Sequence, residues 1–301
     1  MNLKQLEFAI AVAEEGNFTR AAERCNVVQS ALSHQIARLE EELGTRLFER
    51  RPRQVLVTAA GEALLDQARL AVEATRRIPA VVAAVAGEVR GSLTVGMISS
   101  LDLFDIVELL AAFHVRFAQI DIGLRQEHSE ILLEAVRKRS IDLAFIGVSA
   151  STLLEGVEKR LLAEEELVAV LPPGHPLAGR ERLHLEEIQY LPLVDFPAGS
   201  SARQQTDEAF AALGLPHRVR FEISHIDLME RFVRGGMAVG LAPTSTAATF
   251  DGLTRIPVCD APKRRVFAIW PSTPTPATRE LLSELETLLA RTGLTAAPSI
   301  P

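Results

Sequence analysis

The sequence contains no apolar run long enough to cross a membrane. A spanning helix needs about 20 predominantly apolar residues, and no stretch of this chain approaches that length. The first residues, MNLKQLEFAIAVAEEGN, also lack the layout of a signal peptide, because Glu7, Glu14 and Glu15 interrupt their apolar positions. We therefore expect a cytoplasmic protein with no membrane partner.

Cysteine is scarce, with Cys25 and Cys259 as the two thiols in 301 residues. Two distant thiols make neither a disulfide framework nor a metal cluster, so we interpret both as free thiols. The sequence also lacks a nucleophile elbow, a phosphate loop and a Cys/His metal set, and its seven histidines are scattered. These absences argue against an enzyme and predict neither a cofactor nor a metal.

The net charge of −7 is unevenly distributed along the chain. Residues 1–90 contain 12 basic and 12 acidic side chains, so all of the excess acid lies in residues 91–301. A neutral segment can still bind DNA when its basic residues share one face. This balance of charges excludes a mechanism in which the chain binds nucleic acid through a large overall excess of positive charge.

The first part of the chain predicts three helices. Apolar residues recur at helical spacing between Leu3 and Glu15, and Gly16 is expected to end this helix. Thr19 is predicted to cap a short second helix, Arg20 to Cys25. After a tight turn, a third helix is predicted from Gln29 to Leu43.

The polar face of this third helix suits the major groove of DNA. Its apolar stripe is expected to face inward and consists of Leu32, Ile36, Leu39 and Leu43. Away from that stripe lie hydrogen-bonding side chains, which are candidates for contacts with bases: Gln29, Ser30, Ser33, His34 and Arg38. An ordinary solvated face would contain the same residue types, so the helix alone does not decide between the two.

A cluster of arginines follows, and it borders a predicted strand at Gln54–Thr58. The cluster consists of Arg46, Arg50, Arg51 and Arg53. Arginine clusters are often only solvated surface, but a basic hairpin beside a recognition helix forms a wing that contacts phosphates. We therefore predict phosphate contacts for Arg50, Arg51 and Arg53.

Similarity to one known family is carried by five stretches of this region: Phe18–Glu23, Gln29–Ile36, Leu39–Glu40, Gly44–Arg50 and Leu56–Glu62. Together they closely resemble the winged helix-turn-helix of LysR-type transcriptional regulators. The resemblance implies a DNA-binding domain at residues 1–58. Two positions depart from the family pattern, since Val28 replaces the usual Ser or Thr cap and His34 stands where Arg is frequent.

Residues 59–90 predict a long helix that pairs with a second copy. Its seam spans about three heptads and consists of Leu64, Ala68, Ala71, Thr75, Ile78, Val82 and Val85. A lone amphipathic helix would show the same pattern, but LysR-type regulators have a dimerising linker helix here. We expect a homodimer on double-stranded DNA with dyad-related half-sites; the family further implies a homotetramer and RNA polymerase as a partner. Pro79 predicts a kink or break near Ile78.

Residues 91–301 alternate between predicted strands and helices, which indicates an α/β sheet. The predicted strands lie at 93–97, 120–124, 141–146, 157–161, 167–171, 191–194, 219–223, 239–243 and 264–270. LysR-type regulators have two α/β subdomains here, similar to those of a periplasmic binding protein. The resemblance implies subdomain I at about 91–162 and 267–292, and subdomain II at about 163–266.

The cleft between these subdomains is the expected effector site, because ligands of α/β sheets bind where strands end and helices begin. Paired serines at two such places favour an anion, although simple helix capping explains each pair as well. The predicted effector-binding residues are Ser99, Ser100, His128, Phe145, Gly147, Phe196, Ser200, Ser201, Arg203 and Pro243. We expect an organic acid or an aromatic anion as effector.

The predicted fold is therefore a helical winged helix-turn-helix with a small wing, a long linker helix and an α/β effector-binding domain. The predicted function is a DNA-binding transcriptional regulator that a small-molecule effector controls. The alternative is a regulator that is ligand-independent or redox-responsive.

Overall fold

A computed structural model describes residues 1–51 and 54–293 of the chain. These residues form two compact units, one of residues 1–88 with 138–140 and one of the remainder. No helix in this described part is long and apolar enough to cross a membrane. The predicted wing residue Arg53 lies outside the described residues.

The first unit begins with three helices: α1 at Leu3–Glu15, α2 at Phe18–Arg24 and α3 at Gln29–Leu43. Gly16 ends α1 with a left-handed backbone (φ 57°), as predicted. The predicted cap of α2 is wrong: Asn17, not Thr19, caps it, with Asn17 Oδ1 accepting from the amides of Thr19 (2.8 Å) and Arg20 (3.2 Å). The Asn side chain two residues earlier reaches both free amides, so the helix starts sooner.

The inward stripe of α3 is confirmed for Leu32, Ile36 and Leu39, which are fully buried. Leu43 is 42 % exposed, contrary to the prediction, because the helix ends there and Gly44 turns the chain away. Val28 stands at the N-cap and offers no side-chain hydrogen bond, which confirms the loss of the cap.

A small antiparallel hairpin follows α3. Its strands are β1 at Phe48–Arg51 and β2 at Gln54–Val57, with Phe48 opposite Val57. Glu40 of α3 fixes this hairpin, since its Oε1 accepts from the amides of Leu47 (2.8 Å) and Phe48 (3.2 Å). The wing is thus attached directly to the helix whose polar face is predicted to contact DNA.

The linker is a single helix, α4, at Ala59–Val85, and it runs through Pro79. Of the kink or break expected near Ile78, the break does not occur in this segment. Proline removes one backbone hydrogen bond, and Pro79 is exposed, so water can solvate the carbonyl that loses its partner. Alanine-rich sequence on both sides favours continuation of the helix.

The apolar surface of α4 changes character along its length. In its first half, Leu65, Ala68 and Val72 are buried, and Ala68 and Val72 pack against Leu6 of α1. In its second half the predicted seam is exposed, with Ile78 at 56 %, Val82 at 64 % and Val85 at 90 %. The first half therefore belongs to the core of this unit, and the second half presents apolar side chains to solvent.

The second unit begins with a parallel three-stranded arrangement. Its strands are β3 at Gly91–Met97, β4 at Ile120–Gln126 and β5 at Leu143–Ser149, with β3 in the middle. The accompanying helices are α5 at Ile106–Arg116 and α6 at Ser129–Arg137. Helix α5 starts at Ile106 because Asp105 caps it, accepting from the amides of Val107 and Glu108.

The strand β6 at Glu158–Leu171 replaces two predicted strands, and the prediction of an interruption is wrong. The interruption was expected between Leu161 and Leu167, a stretch that contains the three consecutive glutamates 164–166. They continue the strand because they stand opposite three basic residues of the neighbouring strand, in the pairs Glu164–Arg265, Glu165–Arg264 and Glu166–Lys263. Opposite charges directly across a ladder stabilise the pairing.

The remaining elements were only partly predicted. The helices are α7 at Leu185–Ile188, α8 at Ser201–Ala212, α9 at Ile226–Arg234, α10 at Thr244–Thr249 and α11 at Pro276–Thr292. The strands are β7 at Pro192–Asp195, β8 at Arg218–Glu222, β9 at Val239–Pro243, β10 at Thr254–Pro257 and β11 at Lys263–Trp270. The sequence analysis missed α7, α10 and β10, which are too short to show a period.

Strands β6 and β11 join the two halves of the sheet. In the described residues the order is β4-β3-β5-β11-β6-β9-β7-β8, and β10 also pairs with β6. One half carries the parallel strands β3 to β5, and the other carries β7, β8 and β9. Apolar clusters fill each half, so both are packed on their own and share one strand pair.

Replacing Val28 with Ser should stabilise the start of α3. The backbone of Val28 already has N-cap geometry (φ −73°, ψ 143°), and a hydroxyl there contributes about 1 kcal/mol. Amides in the first turn of α3 should then exchange with solvent roughly fivefold more slowly in the intact chain. Hydrogen exchange measured by mass spectrometry tests this, with Val28→Ala as the matched control. Equal exchange in both variants would contradict the prediction.

Candidate functional sites

The polar residues predicted to read DNA lie together on the solvent side of α3. Gln29, Ser30, His34 and Arg38 are exposed and Ser33 is half-buried. Gln29 Nε2 donates to Ser33 Oγ at 2.8 Å, which is the reach of one helical turn. The fold therefore presents these side chains as one accessible surface opposite the buried stripe.

The wing adds a basic residue beside this surface. Arg51 is exposed on β1 and its guanidinium contacts Glu49 at 3.2 Å. Both side chains of this pair are more than half exposed, so the interaction is weak and Arg51 can exchange it for a phosphate. The backbone of Arg50 belongs to the same strand.

A cavity of about 240 Å³ lies in the second unit, at the carboxyl ends of its parallel strands. Both halves of the sheet contribute to it. The lining residues are Ile98, Ser99, Ser100, Gln126, Glu127, His128, Ser129, Glu130, Gly147, Leu167, Asp195, Phe196, Ala202, Gln205, Ser224, His225, Ile226, Leu241, Pro243 and Arg264. This position, where strands end and helices begin, is where α/β sheets bind ligands.

Six predicted effector-binding residues lie in this lining: Ser99, Ser100, His128, Gly147, Phe196 and Pro243. They come from the ends of β3, β4, β5, β7 and β9, as the alternation of strands and helices indicated. His128 also meets the ring of Phe196 edge-on, with centroids 6.0 Å apart. This contact joins the two halves across the cavity.

Phe145 lies elsewhere, in the core. It is fully buried and packs edge-to-face on Phe104 at 5.3 Å. The side chains of β5 alternate across the sheet, so Gly147 and Phe145 share a face, but the larger ring at 145 is enclosed by its own half. Gly147 has no side chain to fill the cavity. A Cβ at this position would be crowded, because it would lie 3.0 Å from Ile98 and 3.4 Å from the Arg264 guanidinium.

Ser200, Ser201 and Arg203 also lie outside the cavity lining, because each is bound elsewhere. Ser200 caps α8 by accepting from the Arg203 amide at 3.2 Å. The Arg203 side chain donates to Asp207 at 2.7 Å, one turn along α8. The N-terminus of α8 is itself filled: Glu130 Oε2 accepts from the amide of Ser201 at 3.2 Å and from its hydroxyl at 3.0 Å.

The sequence analysis missed the most buried charge of the cavity, Arg264. It is 2 % exposed, and its Nε and Nη2 contact Glu165 Oε2 at 2.9 and 2.7 Å. The same guanidinium donates to the hydroxyl and the carbonyl of Ser100, at 2.8 and 2.9 Å. Burial lowers the pKa of Arg264 and Glu165 opposes the shift, so this group is a positioned cation whose charge is already paired.

Asp195 was also missed, although it directly follows a predicted strand. It is 4 % exposed, and its Oδ1 accepts from the amide of Phe196 at 2.7 Å. Burial raises the pKa of Asp195 to about 6, against the opposing effects of the Thr206 hydroxyl, the Phe196 amide and Arg203. A carboxyl group with this pKa changes its charge near neutral pH.

Hydrogen bonds between the two halves flank the cavity. Thr246 of α10 donates to Asp102 at 2.6 Å. Glu208 of α8 accepts from Ser149 and Ser151. These contacts join the two halves in this arrangement.

Comparison with known proteins identifies the family. The model of the LysR substrate binding domain matches residues 86–290, and that of the bacterial regulatory helix-turn-helix protein, lysR family, matches residues 3–62. The chain belongs to the LysR family of bacterial transcriptional regulators. It is a DNA-binding transcriptional regulator with an effector-binding domain, as the sequence predicted. Its curated relatives are regulators and not enzymes, which confirms the exclusion of an enzyme.

Individual LysR relatives match over most of their length. The transcriptional dual regulator GltC of Bacillus subtilis is 33% identical over 248 residues, 82% of either chain. A probable hydrogen peroxide-inducible genes activator of Mycobacterium leprae is 32% identical over 239 residues, 79% of this chain and 76% of its own. A full-length OxyR variant from Pseudomonas aeruginosa shares the fold, with a TM-score of 0.75, 24% identity and coverage of 100% of this chain and 99% of its own.

Replacing Arg264 with Met should strongly destabilise the second unit. Glu165 would remain as a buried charge, 8 % exposed, without its partner, which costs about 3–5 kcal/mol. The control is Arg265→Met, because Arg265 and Glu164 are 41% and 48% exposed and such pairs contribute about 1 kcal/mol or less. Urea unfolding followed by the fluorescence of Trp270, the single tryptophan, measures both. Equal losses in the two variants would show that burial of the pair is unimportant.

Proposed function

We propose that this LysR-family regulator reads paired DNA half-sites through α3 and that an effector in the 240 Å³ cavity controls it. The observation that carries the proposal is the position of the cavity. It lies at the strand ends, between two separately packed halves that share only β6 and β11 within the described residues. A ligand that prefers one arrangement of the halves shifts their equilibrium, which is the requirement for control by an effector.

In this proposal the exposed face of α3 contacts base edges. Its members are Gln29, Ser30, Ser33, His34 and Arg38. Arg50, Arg51 and Arg53 contact phosphates, which fixes the register without reading sequence. His34 stands where Arg is common in the family, and an imidazole lacks the fork of donors of a guanidinium, so its base contact differs from the family norm.

The second half of α4 is proposed to pair with a second copy. Ile78, Val82 and Val85 present an exposed apolar stripe along one helix, and helices with such stripes associate. A dimer supplies two recognition helices for dyad-related half-sites. A homotetramer and contact with RNA polymerase extend the proposal by analogy with the family.

The boundaries proposed for these parts are 1–58 for DNA binding, 59–90 for dimerisation and 91–301 for effector binding. The last comprises subdomain I (about 91–162 and 267–292) and subdomain II (about 163–266). Because the target is genomic DNA, the protein is proposed to act in the cytoplasm.

A redox-responsive regulator is the second candidate, since one of the similar proteins is named as a probable hydrogen peroxide-inducible genes activator. The thiols of this chain do not favour it. Cys25 is half-buried in the first unit, and burial raises the pKa of its thiol, which lowers its reactivity. Cys259 is exposed and does not line the cavity, and the second unit contains no further cysteine with which it could form a disulfide.

Substitutions on α3 and on the wing should affect DNA binding differently. Ser33→Ala and His34→Ala should change which sequences the protein selects from a random pool, because they remove base contacts. Arg51→Gln should instead weaken binding to all sequences and reduce the slope of log affinity against log salt by about one per head. Selection followed by sequencing, and electrophoretic titration over a range of salt, measure the two effects.

The control for Arg51→Gln is Arg182→Gln, an exposed arginine of the second unit, which changes the net charge equally. It should leave DNA affinity unchanged. Absence of any retention of DNA at low salt by the unmodified chain would refute the proposed function.

Hydrogen peroxide should leave the DNA affinity of the regulator unchanged. The physical reason is that the second unit has one thiol, which is not among the cavity-lining residues, and thus no disulfide to couple to its two halves. Electrophoretic titration before and after oxidation tests this in the unmodified chain and in Cys259→Ser. A peroxide response that Cys259→Ser abolishes would establish the redox alternative.

A further inference from the structure

The charge of the cavity lining differs from what an anionic effector requires. Among its described residues, Glu127, Glu130 and Asp195 contribute three carboxyl groups, and Arg264 contributes the guanidinium. The charge of Arg264 is neutralised by Glu165, which it contacts through two nitrogens. An incoming carboxylate would therefore meet more negative charge than positive charge.

One of the two places predicted to hold an effector's carboxylate, the N-terminus of α8, is occupied by the protein. Glu130 already accepts the amide and hydroxyl hydrogens of Ser201 at the N-terminus of α8. A free anion would have to displace a tethered carboxylate, which has the advantage of high effective concentration. The partial positive charge of this helix end is thus used within the fold.

We propose that the cavity binds a small amine, recognised as an ammonium cation by Asp195 and Glu130, and not an organic acid. The inference rests on the proposed function, because it names the effector class of the same cavity. The rest of the lining suits a compact apolar body next to the ammonium group. Ile98, Leu167, Phe196 and Leu241 supply aliphatic and aromatic surface.

Asp195 is the acceptor on which the recognition depends. It is 4 % exposed and lies at the end of β7, in the cavity lining. An ionised carboxylate in this position has lost most of its water, and a cation placed beside it restores part of the lost solvation energy. Hydrogen bonds to a charged group are also about twice as strong as neutral ones.

The pH dependence of binding follows from the same group. Because burial raises the pKa of Asp195 to about 6, the ionised fraction grows as pH rises through that value and is nearly complete well above it. An ammonium ligand needs the ionised form, so its affinity should increase over this range and then level off. A carboxylate ligand prefers the protonated form and should show the opposite trend.

Other charged groups surround Asp195 and contribute to any pH profile. They are Arg203 and Asp207 on α8, Glu127 and His128 between β4 and α6, Glu130 on α6, His225 before α9, and Arg264 on β11. The dependence that belongs to Asp195 is therefore the part that Asp195→Asn removes.

The experiment compares three probes of similar size, benzylamine, benzyl alcohol and benzoate, by titration calorimetry on the full chain. Benzylamine should bind at least about tenfold more tightly than benzoate at a pH above the pKa of Asp195, as expected for pairing with a buried charge. Asp195→Asn should reduce benzylamine affinity by at least about tenfold and flatten its rise with pH. Glu186→Gln, an exposed carboxylate on α7, is the matched control and should change nothing.

Fluorescence of Trp270 verifies that Asp195→Asn is folded, and Glu130→Gln provides a second variant that should also weaken benzylamine. Tighter binding of benzoate would overturn the proposed class while leaving the effector cavity in place. Equal binding of the three probes, binding of none, or benzylamine affinity unaffected by both variants would also overturn it. DNA titration of the same preparations shows separately whether the proposed function stands.

Discussion

The buried ion pair between Arg264 and Glu165 fixes the arrangement on which the effector unit depends. The two residues face each other across β11 and β6, the strands that both halves of the sheet share. The same guanidinium also bonds Ser100, in the loop after β3. A buried charge is tolerated only while its partners stay in place, so the wall of the cavity at Ser100 is tied to the strands that join its halves.

The DNA-binding unit depends on a different kind of constraint, which is local. The apolar stripe of α3 fixes which side of that helix is buried, so the polar residues on the opposite side are exposed. Glu40 then links α3 to the wing through two backbone amides. Residues 1–90 have zero net charge and can still expose basic side chains on one face, because some of their acidic side chains serve such internal contacts.

Much of the fold could be predicted from the sequence because its elements are periodic and bounded. The stripe at Leu32, Ile36 and Leu39 and the strand at Val239–Pro243 are examples. The continuity of β6 could not be predicted, because a run of glutamates indicates a loop until the opposite strand is known to carry basic residues. The N-cap of α2 is also a local feature, but the sequence alone does not decide between Asn17 and Thr19, since Asn and Thr are both good caps.

The candidate site was predicted in its location and not in its charge. The ends of parallel strands meet at one edge of a sheet, whatever contacts the residues there make. Ser99, His128 and Gly147 could therefore be predicted to line the cavity. Which charges remain free depends on contacts between distant segments, as for Glu130 with Ser201. The depth at which Asp195 lies is likewise a property of the packed halves, and its shifted pKa has no counterpart in sequence pattern.

The register between β6 and β11 slips at one place: Val266 stands opposite Ala163, and Phe267 opposite Leu161, so Leu162 is left without a partner in this ladder. A ladder with one extra residue is locally more twisted and bends there. The strand pair that both halves share is therefore not a regular ladder, and its local twist at Leu162 helps to set the angle at which the two halves of the sheet meet.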